Sequence, residues 1–356
     1  MNETRPTAGE TRDADRPALA ITLGDPCGIG PEIVLKALTN EKASAAARLV
    51  VIGDEACMRR AARDLKLRWP FGAVIKEPPA SRRWEKPQLL DLGNVEAALR
   101  PGQVSAAAGR AAGEDVEYAA RMALAGAVDG VVTAPLNKES LQLAGFPDPG
   151  HTELLARIAG VKRVAMLFWS EELSVALLTT HVSLRDAIAK VTRTRILAQL
   201  ELLDAEWRRF FGKRPRIGVA ALNPHAGEGN RFGHEETREI IPAISAANEK
   251  GLTVYGPVSA DAIFIQARRG EFDVVLALYH DQATIPVKLL TGRRAVNVTV
   301  GLPFVRTSVD HGTAMDIAGK GIASDESMVQ AIVVGSTLAR ALRSSGGKSP
   351  RGASGL

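Results

Sequence analysis

Short apolar runs alternate along the chain with segments whose apolar residues recur every three or four positions. Consecutive Val, Ile and Leu residues are typical of strands buried on both faces, and the wider spacing is typical of amphipathic helices. The alternation of the two predicts an α/β fold with a largely parallel sheet. The strand-like runs are Leu19–Gly24, Leu49–Gly53, Gly130–Ala134, Val164–Trp169, Leu173–Thr180, Ile217–Leu222, Leu252–Tyr255, Val274–Tyr279 and Ala295–Val300. The helical segments include Glu32–Leu38, Ala111–Ala125, Thr152–Ala159, Leu184–Phe211, Glu235–Asn248 and Met328–Leu342.

Three of the six histidines directly follow such strand-like runs: His181 after LSVALLTT, His225 after RIGVAALNP and His280 after FDVVLALY. Ligands of open α/β sheets bind at the carboxyl ends of the strands, and neutral imidazole is the commonest metal ligand. Each histidine alone is equally well explained as a partner of a turn. Together, the three histidines predict a site for a divalent metal. No cysteine accompanies them, and three ligands leave one coordination position open, which favours a catalytic over a structural metal. The sequence does not distinguish zinc, cobalt, magnesium and nickel.

Composition narrows the class of protein. The chain has 356 residues, of which 46% are hydrophobic, so it is long enough for two α/β lobes. It contains no apolar run of membrane-spanning length and no signal peptide at its start, and its two cysteines fit a reducing cytoplasm. Net charge is +5, but aromatic residues make up only 4%, too few for a nucleic-acid stacking surface. We therefore expect a cytoplasmic protein that binds anionic small molecules rather than membranes or nucleic acid.

Further candidate residues lie in turns. A glycine-rich turn, GDPCGIGPEI, joins the first strand to a helix but lacks the spacing of a dinucleotide fingerprint. In GHTE, His151 and Thr152 open a helix, where a phosphate or carboxylate can bind, although Thr152 can equally be a cap. Lys288, Asn297 and Arg306 add two cations and an amide after His280, and surface charge is the alternative explanation for each.

The motifs GDPCGIGPEI, TAPLNKE, GHTE, NPHAGE, YHDQ and VGLPFVRTSVDHGTAMDIAGKG, in this order over roughly residues 18 to 342, resemble the 4-hydroxythreonine-4-phosphate dehydrogenases of pyridoxal phosphate synthesis. The resemblance implies a two-lobed α/β/α fold like that of isocitrate and isopropylmalate dehydrogenases. We expect disordered tails at 1–17 and 344–356, an outer lobe of 18–145 plus 305–343, and a central lobe of 146–304 carrying a dimer interface.

The resemblance also implies the parts of the active site. It implies the metal on His181, His225 and His280, and substrate contacts from His151, Thr152, Lys288, Asn297 and Arg306. NAD is implied as the cofactor, and the last motif resembles a cofactor loop, with Asp310, Gly312 and Asp316 as its contacts. A homodimer with active sites shared between the subunits completes the expectation.

The implied reaction is the oxidation and decarboxylation of a phosphorylated 3-hydroxy acid, 4-phosphohydroxy-L-threonine giving 3-amino-2-oxopropyl phosphate. For the base that takes the alcohol proton, we expect Lys288, since a lysine beside a metal can lose its own proton, or else Asp261, which can equally be a helix cap.

Two departures, Ala283–Pro286 and Asn230-Arg231, resemble a paralogous group acting on D-threonate or D-erythronate 4-phosphate. Retention of GHTE speaks against relatives that oxidise unphosphorylated aromatic dihydrodiols. Alternatives of another class are a metal-dependent hydrolase or lyase and a non-catalytic protein that binds phosphometabolites.

Overall fold

The structure is a computed structural model that describes residues 16–292 and 294–344. The chain divides into two compact units, Met1–Lys162 with Leu302–Leu356 and Arg163–Gly301. Residues 146–162, which the sequence analysis assigned to the central lobe, group here with the first unit. Apart from residues 16, 17 and 344, the two expected disordered tails lie outside the described residues.

The first unit begins with five strands and six helices in its described part. The strands are β1 (Ala18–Thr22), β2 (Arg48–Gly53), β3 (Ala73–Ile75), β4 (Gln88–Asp91) and β5 (Gly130–Thr133). The helices are α1 (Gly30–Leu38), α2 (Glu41–Ala46), α3 (Glu55–Asp64), α4 (Ala106–Leu124), α5 (Lys138–Leu143) and α6 (His151–Ala159).

The second unit follows. Its strands in the described part are β6 (Ala165–Trp169), β7 (Val175–Leu177), β8 (Arg216–Ala220), β9 (Thr253–Val258), β10 (Val274–Ala277) and β11 (Val296–Val300). Its α-helices are α7 (Leu184–Ala189), α8 (Arg193–Phe211), α9 (Ile241–Glu249), α10 (Ala260–Arg268) and α11 (His280–Thr291). A 3₁₀ turn over Pro224–Gly227 and a π-helical turn over Glu236–Ile240 lie between β8 and α9. The chain then returns to the first unit as β12 (Val305–Ser308) and α12 (Glu326–Ser344).

The strands of the first unit follow the order β3-β4-β2-β1-β5-β12, and every neighbouring pair is parallel. β1 and β2 are buried along their whole length, as the uninterrupted apolar runs predict. β12, added from the far end of the chain, pairs Arg306 with Val131 and Ser308 with Thr133 of β5. This register brings a buried arginine next to the end of β5, which is where the candidate site of this unit lies.

The second unit has the order β11-β6-β7-β10-β8-β9. β7, β10, β8 and β9 run parallel, whereas β6 is antiparallel to both β11 and β7. The core beneath them combines strand residues with apolar residues of α10 and α11. The α/β class and the largely parallel pairing predicted from the sequence are thus confirmed, and β7, β10 and β8 end at the same edge.

The structure differs from the sequence prediction at one long helix. The predicted helix Leu184–Phe211 is broken between Ala189 and Arg193, because Thr192 adopts an extended backbone and its side chain caps α8 by accepting from the Arg195 amide. Val191 stays buried at the break, so the apolar spacing continues across it and hides it from a periodicity argument. Among the described residues, no helix has both the length and the hydropathy needed to cross a membrane.

Candidate active site

The three histidines predicted as metal ligands follow three neighbouring parallel strands of the second unit. β10 lies between β7 and β8, and His181, His280 and His225 come after β7, β10 and β8 respectively. His280 is the first residue of α11, and His181 precedes the Ser183 cap of α7. The three histidines therefore follow the carboxyl ends of neighbouring parallel strands, as expected from the sequence.

Two of these histidines lie side by side. The ring centroids of His181 and His280 are 5.4 Å apart, with an angle of 43° between the planes. Nδ1 of His280 is 2.8 Å from Oδ1 of Asp281, which fixes the orientation of the ring and leaves Nε2 to face another partner. A histidine whose second nitrogen contacts a carboxylate is the usual arrangement around a metal ligand.

His225 lies in a loop with an unusual backbone. Its φ is 50°, and Ala226, Glu228 and Asn230 also have positive φ, a left-handed conformation that costs a non-glycine residue about 1–3 kcal/mol. The loop is held by the buried Glu236, whose Oε1 accepts from the backbone amides of Leu222 at 2.9 Å and Asn223 at 2.7 Å. Strained backbone of this kind persists only where surrounding contacts impose it, and it clusters at functional sites.

The fit of a metal to these residues is partial. Over residues 16–292 and 294–344, no group of three or more histidine, cysteine, aspartate or glutamate side chains is placed to hold an ion. The adjacent imidazoles of His181 and His280 place two possible nitrogen ligands side by side, and the described chain does not add His225 to them as a third. The three-histidine ligand set therefore stays a prediction, with its first two members already adjacent.

Asp261, the second candidate base, lies in the first turn of α10. Its pKa is lowered, first by a side-chain hydrogen bond from Ser259 and then by its own backbone amide, with a smaller attraction to His225. The side chain is thus an ionised carboxylate within electrostatic range of a predicted metal ligand. It is not the helix cap that the sequence offered as the alternative, because Ser259 is the N-cap of α10 and no side-chain cap hydrogen bond forms; a carboxylate in the first turn still favours the helix.

Lys288 and Asn297 lie elsewhere in the second unit. Lys288 is exposed on α11, two turns after His280. Asn297 is half-buried on β11, and its Oδ1 is buried without a hydrogen-bond partner among the described residues. A buried amide oxygen without a partner is unfavourable unless something else donates to it, so Asn297 is suited to contact a bound molecule.

The first unit contains a compact group suited to an anion. Arg306 is only 2% exposed, and its Nη2 donates to Oγ1 of Thr133 at 2.8 Å. Thr133 Oγ1 in turn donates to Oγ of Ser308 at 3.1 Å. Burial lowers the pKa of Arg306 to about 10, with Glu153 opposing that shift, so the guanidinium remains charged at neutral pH.

His151 and Lys138 complete this group. Burial, followed by repulsion from Arg306 and then Lys138, lowers the pKa of His151 well below its ordinary value, so its imidazole is neutral. Its Nε2 is buried without a hydrogen-bond partner in the described chain. His151 and Thr152 open α6, whose N-cap Gly150 offers no side-chain cap, so the amides of the first turn remain available. The group has two cations, a neutral imidazole and a helix start, which suits a phosphate.

Thr133 and Lys138 were not among the site residues predicted from the sequence. Thr133 is the last residue of β5 and Lys138 the first residue of α5, and both belong to the motif TAPLNKE, where a strand end meets a helix start. A threonine at a strand end and a lysine at a helix start are equally well explained by capping and by surface exposure. The sequence does not show which strand lies next to β5, so it gives no reason to prefer a binding role. The pairing of β5 with β12, which brings Arg306 to Thr133, was not predictable from local pattern.

The predicted cofactor segment follows β12. Asp310 accepts a hydrogen bond from Oγ of Ser327 at 3.3 Å, Asp316 is exposed, and Gly312 borders open space. The amide of Ile29 donates to the carbonyl of Thr313, and a Cβ at Gly28 would lie 2.9 Å from Cβ of Thr313. The glycine-rich turn is therefore packed closely against the segment.

A cavity of about 300 Å³ opens beside this contact within the first unit. Its backbone lining includes Gly28, Pro31 and Gly319, and its charged lining consists of three arginines and two carboxylates, namely Arg60, Arg63, Arg100, Glu32 and Asp64. Glycines permit close approach of a ligand to the backbone, and the arginines suit its negative charges.

Comparison with known proteins gives a consistent result. The sequence model of the family described as "Pyridoxal phosphate biosynthetic protein PdxA" matches residues 45–335. The chain is 44% identical over 342 residues to the 4-hydroxythreonine-4-phosphate dehydrogenase of Geobacter metallireducens, covering 94% of this chain and 99% of that protein. It is also 44% identical over 330 residues to the D-threonate 4-phosphate dehydrogenase of Cupriavidus necator, covering 91% and 97%. The crystal structure of 4-hydroxythreonine-4-phosphate dehydrogenase from Klebsiella pneumoniae superimposes with a TM-score of 0.85 at 43% identity, covering 91% and 98%.

Proposed function

Because this chain belongs to the PdxA family and is a dehydrogenase of that type, we propose that it oxidises and decarboxylates a phosphorylated 3-hydroxy acid. The first candidate substrate is 4-phosphohydroxy-L-threonine, which would give 3-amino-2-oxopropyl phosphate and carbon dioxide. The observation that carries the proposal is the buried Arg306 beside His151, the first residue of α6, with the exposed Lys138 within electrostatic range, which together provide the charge and the hydrogen-bond donors that a terminal phosphate needs.

Each site residue has a task in this proposal. Arg306, His151 and Thr152 bind the phosphate and thereby fix the position of the substrate. His181 and His280 offer two nitrogen ligands for a divalent metal, and Asn297 donates to or accepts from the polar groups of the substrate. When bound, NAD would accept hydride from C3 and the metal would polarise the C3 oxygen.

The proton of the C3 hydroxyl goes to a base of this chain. The lowered pKa of Asp261 keeps its carboxylate ionised and able to accept a proton, but also makes it a weak base. Lys288 is exposed and lies on α11, the helix that starts at His280. We retain Lys288 as the first candidate and Asp261 as the second. The cofactor is assigned to Asp310, Gly312 and Asp316 with the adjoining cavity, where arginines suit its phosphates.

A second candidate substrate has specific support. The relative from C. necator, identical to the same degree as the 4-hydroxythreonine-4-phosphate dehydrogenase, is named a D-threonate 4-phosphate dehydrogenase. D-threonate or D-erythronate 4-phosphate would present the same phosphate, hydroxyl and carboxylate. The candidates differ at C2, where an amino group or a hydroxyl stands and where threonate and erythronate have opposite configurations, so the same phosphate-binding group can serve all of them.

The chain is further proposed to act as a homodimer with shared active sites. Two helices of the second unit expose apolar residues one turn apart, Leu184 and Ile188 on α7 and Ile285 and Leu289 on α11, and Leu289 is 79% exposed. Exposed apolar residues in groups favour an interaction surface. These residues lie on α7, which follows His181, and on α11, which begins at His280, so a second copy covering them would approach the incomplete metal site.

The proposed function is tested with purified protein, NAD and added Co²⁺ or Zn²⁺, against the three phosphorylated acids and their dephosphorylated forms. NADH and carbon dioxide are expected in equal amounts from one phosphorylated acid. NADH without carbon dioxide would leave a simple alcohol dehydrogenase. Equal turnover of a dephosphorylated acid, or product without NADH, would contradict the proposal and favour a dihydrodiol-type or a hydrolytic activity.

A further inference from the structure

The ends of β8 and β10 are joined by a single buried side chain, that of Gln282 in the first turn of α11. Its Oε1 accepts from the amide of Leu278 at 2.7 Å, and its Nε2 donates to the carbonyl of Ala221 at 2.8 Å. Leu278 lies one residue beyond β10 and Ala221 one residue beyond β8. One amide group therefore links the two backbones at the points from which the loops of His280 and His225 depart.

Two further side chains extend this link in both directions. Oγ1 of Thr179, which precedes His181 by two residues, donates to the carbonyl of Leu278 at 2.8 Å. On the other side, the buried Glu236 accepts from the amides of Leu222 and Asn223, the two residues that follow Ala221. A continuous set of hydrogen bonds thus runs from the end of β7 through the end of β10 to the loop of His225.

We infer that Gln282 is a positioning residue: it sets the relative placement of the loops that carry His181, His225 and His280. The inference rests on the proposed function in one respect, the use of these histidines to bind a metal. Its geometric part does not depend on a metal. The carboxamide of Gln282 accepts from Leu278 and donates to Ala221 at once, whereas an ionised glutamate at this position loses the donor and a methionine loses both groups.

The first test measures the histidines without metal. Protein labelled on its histidine side chains is treated with a chelator, and its imidazole signals are assigned by single substitution of each of the six histidines. Gln282→Met is expected to shift the signals of His181, His225 and His280 and to leave those of His151 and His311 in place. Unchanged signals for all of the first three in folded Gln282→Met would overturn the inference.

Two milder variants keep the test decisive if Gln282→Met does not fold. Gln282→Glu keeps the acceptor for Leu278 and loses the donor to Ala221, so the signal of His225 should move more than that of His280. Thr179→Val removes only the bond to β10, so the signal of His181 should move most. If the histidine signals of either variant are the same as those of the unsubstituted protein, the positioning role is contradicted.

The matched control is Gln199→Met. Gln199 also donates from a helix to a strand carbonyl, that of Leu177 at 3.1 Å, but this bond reaches the end of one strand, β7, and does not join it to β8 or β10. Its loss is expected to lower stability without moving the signals of His225 and His280. A shift of all three histidine signals in Gln199→Met would show that general loosening, not the link of Gln282, explains the effect.

The second test uses Co²⁺ alone as the probe, followed by its visible spectrum. Outer contacts of metal ligands are worth about 10–100-fold in affinity, so Gln282→Met should weaken Co²⁺ binding by that factor while Gln199→Met does not. If the unsubstituted protein binds no Co²⁺ but the histidine signals move as expected, the proposed metal fails and the positioning role stands. If it binds Co²⁺ and Gln282→Met binds it equally, the positioning role fails alone.

Discussion

The anion-binding group of the first unit and the histidines of the second unit differ in how complete they are. Arg306, Thr133, Lys138 and His151 come from three separate parts of the chain, yet the buried Arg306 donates to the buried Thr133 and lies within electrostatic range of His151, as does the exposed Lys138. Of the three histidines, by contrast, only His181 and His280 are adjacent. We therefore expect one chain to form the proposed phosphate site by itself, whereas the proposed metal site needs a further ligand.

The contrast has a physical reason. The anion group forms within the first unit because β12 pairs with β5 and brings the buried Arg306 to Thr133, near His151. The three histidines of the second unit instead lie in loops or at a helix start beyond the strand ends, and the side chain of His280 is partly exposed. The strained loop of His225 and the exposed apolar residues of α7 and α11 lie in the unit whose site is incomplete.

The largest effect is expected from the adjacent histidines. His181→Ala and His280→Ala should each reduce Co²⁺ affinity and turnover by more than the roughly 10–100-fold that outer contacts contribute, because a direct ligand is removed. Elemental analysis and activity measure both. Exposed His311 of the first unit provides the control, since His311→Ala should keep full metal content. Full metal occupancy in the His181 and His280 variants would refute the site.

The next effect concerns Arg306. Arg306→Met keeps the length of the side chain and removes its charge, so it should lower kcat/KM by about 10- to 150-fold, the 1.5–3 kcal/mol of a charge-assisted hydrogen bond. Activity towards the dephosphorylated acid should be nearly unaffected, because its missing phosphate cannot be bound. Arg216→Met, which removes an exposed arginine from β8, is the matched control. An equal loss for both forms of the substrate would show that Arg306 does not bind the phosphate.

A smaller effect is expected on stability at mildly acidic pH. Burial, Arg306 and Lys138 lower the pKa of His151, so the unfolded chain takes up a proton below about pH 6.5 that the folded chain does not. Stability present above that pH is lost as pH falls towards the folded pKa, by at most about 1.4 kcal/mol per pH unit. Urea unfolding at pH 7.5 and 5.5 should therefore show a smaller acid loss for His151→Gln than for the unsubstituted protein. The control His234→Gln changes an exposed histidine and should lose as much stability between pH 7.5 and 5.5 as the unsubstituted protein. An equally large loss in His151→Gln would contradict the prediction.

The smallest effect concerns the strain of the His225 loop. Ala226 has φ of 54°, which glycine adopts without strain, so Ala226→Gly should change the free energy of unfolding by less than about 1 kcal/mol and in the stabilising direction. Ala205→Gly in the middle of α8 should instead destabilise by about 1 kcal/mol. Urea midpoints compare the two. Destabilisation of equal size in both variants would show that the left-handed residue carries no strain.

The sequence predicts features that depend on residues close together in the chain, and it does not predict features that depend on residues far apart in the chain. Buried parallel strands show in consecutive apolar residues, so β7, β8 and β10 and the histidines after them could be predicted. β12 could not, because Arg306 and Ser308 interrupt its apolar pattern, and its place beside β5 depends on residues far away in the chain. His151 and Arg306 could each be predicted as site residues from their local motifs. The hydrogen bond from Arg306 to Thr133 and the electrostatic effect of Lys138 on His151 became visible only in the folded structure.

The resemblance to a family supplied what spacing could not, including the substrate class and the cofactor. Its three-histidine metal site is the part that the single chain reproduces least completely, since His225 stands apart from the other two. We take that gap as a consequence of assembly: the adjacent pair is expected to act with His225 of a second copy.

Mixing inactive variants under conditions that exchange subunits tests this most directly. If His181 and His280 of one chain act with His225 of its partner, a mixture of His181→Ala and His225→Ala chains contains one intact site in each mixed dimer, and so does a mixture of His280→Ala and His225→Ala chains. Both mixtures should recover activity. The mixture of His181→Ala and His280→Ala chains should stay inactive, because neither site is whole. Recovery in that third mixture, or in none of the three, would contradict the account.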